Sequence, residues 1–187
     1  MLDPAAYSGH VASAAPRLAL DFARERGGEE VARRVADGMF ERGLDLTPLG
    51  RGEWTPFGWH LALVEEIEKG LGEDALWDLG MHNARNAHRF VPGLAAVLSF
   101  VKPARLIQSA PMVWRTYADF GAIDSTASRG GGRLSLSGFR PHEAFCGTLG
   151  GFFAGLLTRV GAHACAVEHT ECMLRSAKAC VFTGTWT

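Results

Sequence analysis

Neither sign of charge dominates this chain: 19 Lys and Arg stand against 20 Asp and Glu, for a formal net charge of −1 and a pI near 6.7. A balance like that recruits neither nucleic acid nor anionic lipid without a local patch. The basic stretches Arg33-Arg34 and Arg85 to Arg89 read as solvated helix faces. No apolar run approaches the roughly 18 residues a membrane-spanning helix needs. The opening Met1-Leu2-Asp3-Pro4 lacks a basic segment followed by an apolar one. The expectation is a cytoplasmic protein with neither nucleic acid nor membrane as partner. Catalytic signatures are also missing: there is no Gly-x-Ser-x-Gly elbow, no dinucleotide fingerprint and no acidic pair in a defined setting. The glycine-rich run Arg129-Gly130-Gly131-Gly132-Arg133 is followed by neither Lys-Ser nor Lys-Thr, so it reads as a hairpin tip rather than a phosphate loop. These absences argue against an enzyme.

What is present suits one domain over residues 1–187, since 47% apolar and 21% charged residues can bury a single core. Residues 1–15 are weakly patterned and read as a loose lead-in or a marginal helix. Pro16 opens a helical stretch that resumes after Gly27-Gly28 with Val31, Val35, Met39 and Phe40 near helical period. Leu44 to Thr55 reads as a polar linker. Phe57 to Gly70 and Glu73 to Phe90 repeat the helical habit, a short apolar helix runs to about Phe100, and Lys102-Pro103 starts another that reaches Tyr117. From Gly121 the period changes, with strands over Ala122 to Ser128 and Arg133 to Gly138, a helix from His142 to Val160, and strands over Ala162 to Thr170 and Val181 to Thr187. Gly147, Gly151 and Gly155 fall four apart and share a helix face that something approaches closely: the sheet beneath, a bound molecule or a second subunit.

Cysteine is scarce and confined to the C-terminal region, with 4 in the chain and none before Cys146. Three of them join one histidine in the frame Cys146-x22-His169-x2-Cys172-x7-Cys180. Three thiolates and an imidazole complete a tetrahedral Cys₃His site. Strand alternation puts Cys165, Val167 and His169 on one face and Glu168 on the other, which selects His169 over Glu168 as the ligand if Cys172 lies in the following turn. Competing readings are buried cysteines packed as small apolar residues, a redox thiol pair, and, in an oxidising compartment, two disulfides. Cys165 either substitutes for one ligand or lies in the core. His142-Glu143-x-x-Cys146 is similar to a zinc-protease helix motif with cysteine at its later position, which keeps a zinc hydrolase among the alternatives. Trp114, Tyr117, Phe120, Phe152 and Phe153 gather near the cysteines and are candidates to line an apolar pocket.

The tail Gly161-Ala162-x5-Glu168-His169-x2-Cys172-x7-Cys180-x-Phe182-x3-Trp186 resembles the 4-vinyl reductase domain superfamily and its uncharacterised bacterial relatives. The resemblance covers about residues 75–187, with residues 1–70 as an N-terminal helical extension. In that superfamily's phenol-sensing activators the zinc ligands are Cys, Glu, Cys and Cys, at the spacing of Cys146, His169, Cys172 and Cys180. The glutamate position is His169 here, and the usual glycine of the cysteine turn falls at Ser176 or a neighbour. The superfamily shares its ligand-binding fold with TRAPP vesicle-tethering subunits and haem-nitric oxide sensors. The resemblance therefore implies an α+β architecture with a helical layer on a small antiparallel sheet, and an apolar cavity beside a structural zinc. It also implies a sensory or assembly role, frequent homodimers, a small apolar or aromatic ligand and a protein partner that reads the signal. No haem-ligating motif of those sensors is present, so no haem is carried over. The alternative to a sensor is a scaffold whose cavity is filled by side chains.

Overall fold

The computed structural model describes residues 2–45, 54–89, 98 and 100–187. The fold is α+β. Strands β1 (His10–Ala12) and β2 (Trp54–Pro56) form a short antiparallel pair, with helix α1 (Ala14–Glu41) between them in sequence and α2 (Phe57–Leu71) immediately after. Helices α3 (Asp74–Arg85) and α4 (Pro103–Tyr117) follow. Then come β3 (Ala122–Ala127), β4 (Gly131–Ser137), α5 (Glu143–Arg159), β5 (Ala166–Glu171) and β6 (Cys180–Thr185). The last four strands make one antiparallel sheet in the order β3-β4-β6-β5.

Local chemistry accounts for the element ends. Helix α1 breaks at Gly28, whose φ of 72° and ψ of −177° lie outside the helical region and are open to glycine. Pro103 sits in the first turn of α4 behind an extended Lys102, the arrangement proline favours. Asp74 begins α3 and His82 and Arg85 end it, matching the helix dipole. Phe57, Leu61, Val64 and Ile67 are all buried on α2. The expected short helix before Phe100 and most of the expected linker before Trp54 lie outside the described residues. Residues 10–12, expected as lead-in, pair instead with residues 54–56. A strand of three residues is too short to show alternation, and its partner is distant in sequence.

The apolar core has two parts. One lies among α1, α2 and α3, around Phe22, Val35, Met39, Leu63, Ile67 and Leu79. The larger lies between α4, α5 and the sheet, around Trp114, Leu134, Phe145, Leu149, Leu157 and Phe182.

The glycine face of α5 packs on α3, which corrects the expectation that a sheet, a ligand or a second subunit covers it. A methyl group built on Gly151 meets the Trp77 carbonyl oxygen at 2.2 Å, and one on Gly80 of α3 meets the Thr148 carbonyl oxygen at 2.1 Å. The two backbones are in contact with no side chain between them. Gly151→Ala must push the helices apart. Overpacking of this kind costs about 2 kcal/mol, which for a chain of this size is a drop of about 4–8 °C in Tm. A thermal melt unchanged by the substitution contradicts this packing.

Candidate functional site

The four residues of the cysteine frame converge. Cys146 stands in the first turn of α5. His169 lies on β5 opposite Phe182, and Cys180 begins β6 opposite Leu136. A register shift between His169 and Glu171 marks the end of regular β5 pairing, where the chain turns into the loop that carries Cys172. Cys172 precedes the 3-10 turn Met173–Arg175, and its carbonyl accepts from the Arg175 and Ala177 amides at 2.9 and 3.2 Å. The three sulfurs and one ring nitrogen lie within 4.8 Å of one another. Sγ of Cys180 is 3.8 Å from that of Cys146 and 3.9 Å from that of Cys172. A tetrahedron with metal–sulfur arms of about 2.3 Å has sulfurs about 3.8 Å apart, whereas a disulfide needs about 2.05 Å.

Without a cation, the groups of the cluster are held neutral. Burial pushes the Cys146 thiol strongly up, with the neighbouring sulfurs adding to it, and pushes Cys180 up as well. Burial, followed by the Arg175 cation, pushes His169 down, so its ring is neutral. Its Nε2 is buried and has no hydrogen-bond partner, although the ring is held flat against Phe182 with centroids 4.5 Å apart. A buried polar atom without a partner calls for an explanation, and a metal ligand supplies one. Cys165 lies outside the cluster, half-buried against the larger core. Glu168 is exposed. His142 caps α5 and faces Glu65, with Nε2 to Oε1 at 3.4 Å, and the Tyr7 ring, so it does not join Cys146 in a common site.

The loop that carries Cys172 closes through Ser176, which has a φ of 67° in the left-handed region. The sequence resemblance puts its usual glycine at this position or a neighbouring one. Ser176→Gly is expected to raise stability by about 1 kcal/mol or less, the left-handed strain relieved minus the added freedom of the unfolded chain. Chemical denaturation measures it, and a loss of stability would show that the serine side chain holds the turn.

Next to the cluster, α4, α5, β3 and β4 enclose a cavity of about 60 Å³. Trp114, Tyr117, Phe152 and Phe153 form part of its wall; Phe120 does not. Helix α4 ends at Tyr117 and Ala118 is extended, which turns Phe120 into the core against Phe57, at 4.2 Å between centroids. The Phe120 carbonyl there accepts the Trp114 indole N–H at 2.8 Å. The rest of the wall is mostly aliphatic, from Leu106, Ile107 and Val113 on α4 and Leu149 and Leu156 on α5, and it includes one buried amide, Asn83 of α3. Aliphatic residues at helical spacing carry no sign that they face a void. Asn83 does carry a sign: it is the polar interruption in a stripe of Leu76, Leu79, Gly80 and Ala87. Burial pushes the Tyr117 hydroxyl strongly up, so it stays protonated.

No protein-family model matches the sequence, and no curated protein matches it. Solved structures match the whole fold. An H-NOX protein from S. oneidensis in the Fe(II) ligation state, a triple mutant, aligns with a TM-score of 0.73 at 14% identity over 94% of this chain and 96% of that one. The Fe(II) unliganded H-NOX protein from K. algicida aligns with a TM-score of 0.66 at 12% identity, over 94% and 96%. A structure described as probing the function of heme distortion in the H-NOX family gives 0.70 at 9% identity, over 94% and 95%. At these identities the likeness establishes the fold, the one that haem-nitric oxide sensors share with the superfamily the cysteine frame resembles.

The haem in those descriptions does not fit this cavity. Among the described residues the wall offers no His, Cys or Met as an axial ligand, and Tyr117, held protonated by burial, is a poor one. Nor do the described residues of the wall include an Arg or Lys to meet the propionates. At about 60 Å³, the space is below the roughly 150 Å³ that admits benzene to an apolar core.

Proposed function

We propose that this chain is a non-catalytic small-molecule-binding or sensory module of the cytoplasm. In it a structural zinc held by Cys146, His169, Cys172 and Cys180 braces an apolar pocket. One observation carries the reading: the cavity and the four-donor cluster share helix α5, with Phe145 in the cavity wall and the next residue, Cys146, in the cluster. Four protein donors fill a tetrahedron and leave no position for water, so zinc here holds structure and performs no hydrolysis. The ligand is small, neutral and apolar or aromatic, because no charged side chain lines the wall among the described residues, and an aromatic ring enters as the cavity widens around it. From the wall, Phe153 meets Phe182 edge-on at 5.3 Å, and Phe182 stacks on His169, so the pocket and the metal site are in continuous contact. Occupancy shifts α5 against the sheet, and a protein partner or a second copy of the chain reads the change. Membership of the 4-vinyl reductase domain superfamily belongs to the same proposal, supported by the cysteine frame and the fold. No helix among the described residues is long and apolar enough to cross a membrane.

The small cavity volume favours a second reading, an assembly scaffold that dimerises or joins a hetero-complex with its interior filled by side chains. Titration with a panel of small aromatics separates the two, followed by Trp114 fluorescence and Tm. Saturable quenching with a rise in Tm is expected of the sensor. The scaffold leaves both signals flat for every compound.

A further inference from the structure

We infer that α4 is the door of the cavity, its first half swinging about Pro111 while its second half stays fixed. The inference rests on the pocket reading above and adds the route by which a ligand enters.

Pro111 lies inside α4. It has no N–H to give the Ile107 carbonyl, and its ring crowds that carbonyl, so the helical ladder is interrupted at this turn. Just before it the Ser109 hydroxyl donates to the Leu106 carbonyl at 2.8 Å, competing with the Ala110 amide for the same oxygen. The halves on either side are held differently. Beyond Pro111, the Trp114 indole N–H donates to the Phe120 carbonyl at 2.8 Å, Ala118 bridges to Val11 of β1, and the Asp119 amide donates to the His10 carbonyl at 3.1 Å. The Asp119 carboxylate also pairs with the His10 ring at 2.8 Å. Ahead of Pro111, no hydrogen bond or ion pair among the described residues joins residues 103–110 to another element. Apolar contact holds this half down, through the buried Leu106 and Ile107, and Ile107 rests on Gly132 of β4, which has no side chain to interlock with it. Leu106, Ile107 and Ala110 belong to the cavity wall, so lifting this half opens it. A bend of about 20° at the proline lifts Leu106, about 7.5 Å away at 1.5 Å per residue, by about 2.5 Å. The same movement enlarges a cavity otherwise too small for benzene. A door of this kind sets how fast a ligand comes and goes, and leaves how tightly it is held to the closed wall.

Amide hydrogen exchange on the whole chain without ligand reads the hinge. In the wild type, residues 107–110 are expected to exchange about tenfold or more faster than residues 113–117, because the first half opens alone. In Pro111→Ala the restored hydrogen bond makes the halves open together, and the gap falls below about threefold. Stopped-flow binding of toluene, followed by tryptophan fluorescence, reads the door. Pro111→Ala is expected to slow association and dissociation alike, by about tenfold, the worth of one hydrogen bond, with Kd changed less than about twofold. Gly132→Ala acts in the opposite sense: its methyl would stand 3.2 Å from the Ile107 side chain and press the half outward, speeding both rates. No exchange gap in the wild type, a gap unchanged in Pro111→Ala, or toluene rates equal in the wild type and both variants overturn the door and leave the pocket reading standing. Absence of saturable toluene binding overturns both. If Pro111→Ala does not fold, the wild-type exchange gap and the Gly132→Ala rates decide.

Discussion

Protein purified without added metal is expected to carry close to one equivalent of zinc, and Cys180→Ser to lose it together with on the order of 5 kcal/mol of stability. Cys180 is the ligand to remove, since it is fully buried and within 4 Å of both other sulfurs. The proposed zinc would cross-link the start of α5 to the β5–β6 connection, and its loss would leave two buried thiols and an imidazole nitrogen with no use. For a chain of this length the change corresponds to about 10–20 °C in Tm. Cys165→Ser is the control, because that residue lies outside the cluster; it should keep the zinc and shift stability by less than about 1 kcal/mol. Elemental analysis and thermal melts measure both. Zinc below roughly 0.2 equivalents in the wild type, with Cys180→Ser as stable as Cys165→Ser, would leave the cysteines as ordinary core residues.

The second large effect is a loss of stability in acid that runs through one histidine. His60 on α2 is 1% exposed among Phe57, Leu61, Leu63 and Val64, and neither ring nitrogen has a partner. Burial pushes its pKa down to about 4. The unfolded chain takes up a proton at this residue near pH 6.5, and the folded chain resists until about pH 4. The unfolded state thus binds more protons across that window, so stability is intact above pH 6.5 and drains away as pH falls toward 4, by about 3 kcal/mol in all. His60→Leu removes the two unpaired nitrogens and this share of the pH slope, and is expected to raise stability at pH 7 by about 1–3 kcal/mol. Metal binding by the cysteine cluster would also be acid-labile, so the quantity to measure is the difference between the two proteins in urea unfolding midpoints from pH 7 to pH 4. Parallel curves would refute the assignment.

The sequence revealed these features unequally, for physical reasons. The helices α3 and α4 were legible because each buries one side, with apolar residues recurring at helical spacing whatever lies opposite, and α2 because Phe57, Leu61, Val64 and Ile67 keep that spacing although its first half is buried nearly all round. The convergence of His169, Cys172 and Cys180 was legible because all three belong to one hairpin, where strand parity and a short turn fix which side chains meet. Cys146 is remote in sequence, and only its spacing to the others, in a pattern resembling a known frame, pointed to it. What lies opposite a face was not legible. The glycines of α5 announce a close approach without naming α3 as the partner. Much of the cavity wall is leucine, isoleucine and valine, which look the same beside a void as beside another side chain. Phe120 falls outside the wall because the chain turns at Ala118, a single backbone conformation that composition does not encode.

The seam between Gly80 and Gly151 also constrains how this molecule can move. Where main chain rests on main chain there are no rotamers to absorb a displacement, so α3 and α5 must travel as one beam. Any tilt imposed on α5 from inside is carried into α3, and with it into Trp77, which is 41% exposed and lies beside Gly150 of α5. Trp77, at the edge of that seam, is thus the natural reporter for a movement of the two helices together.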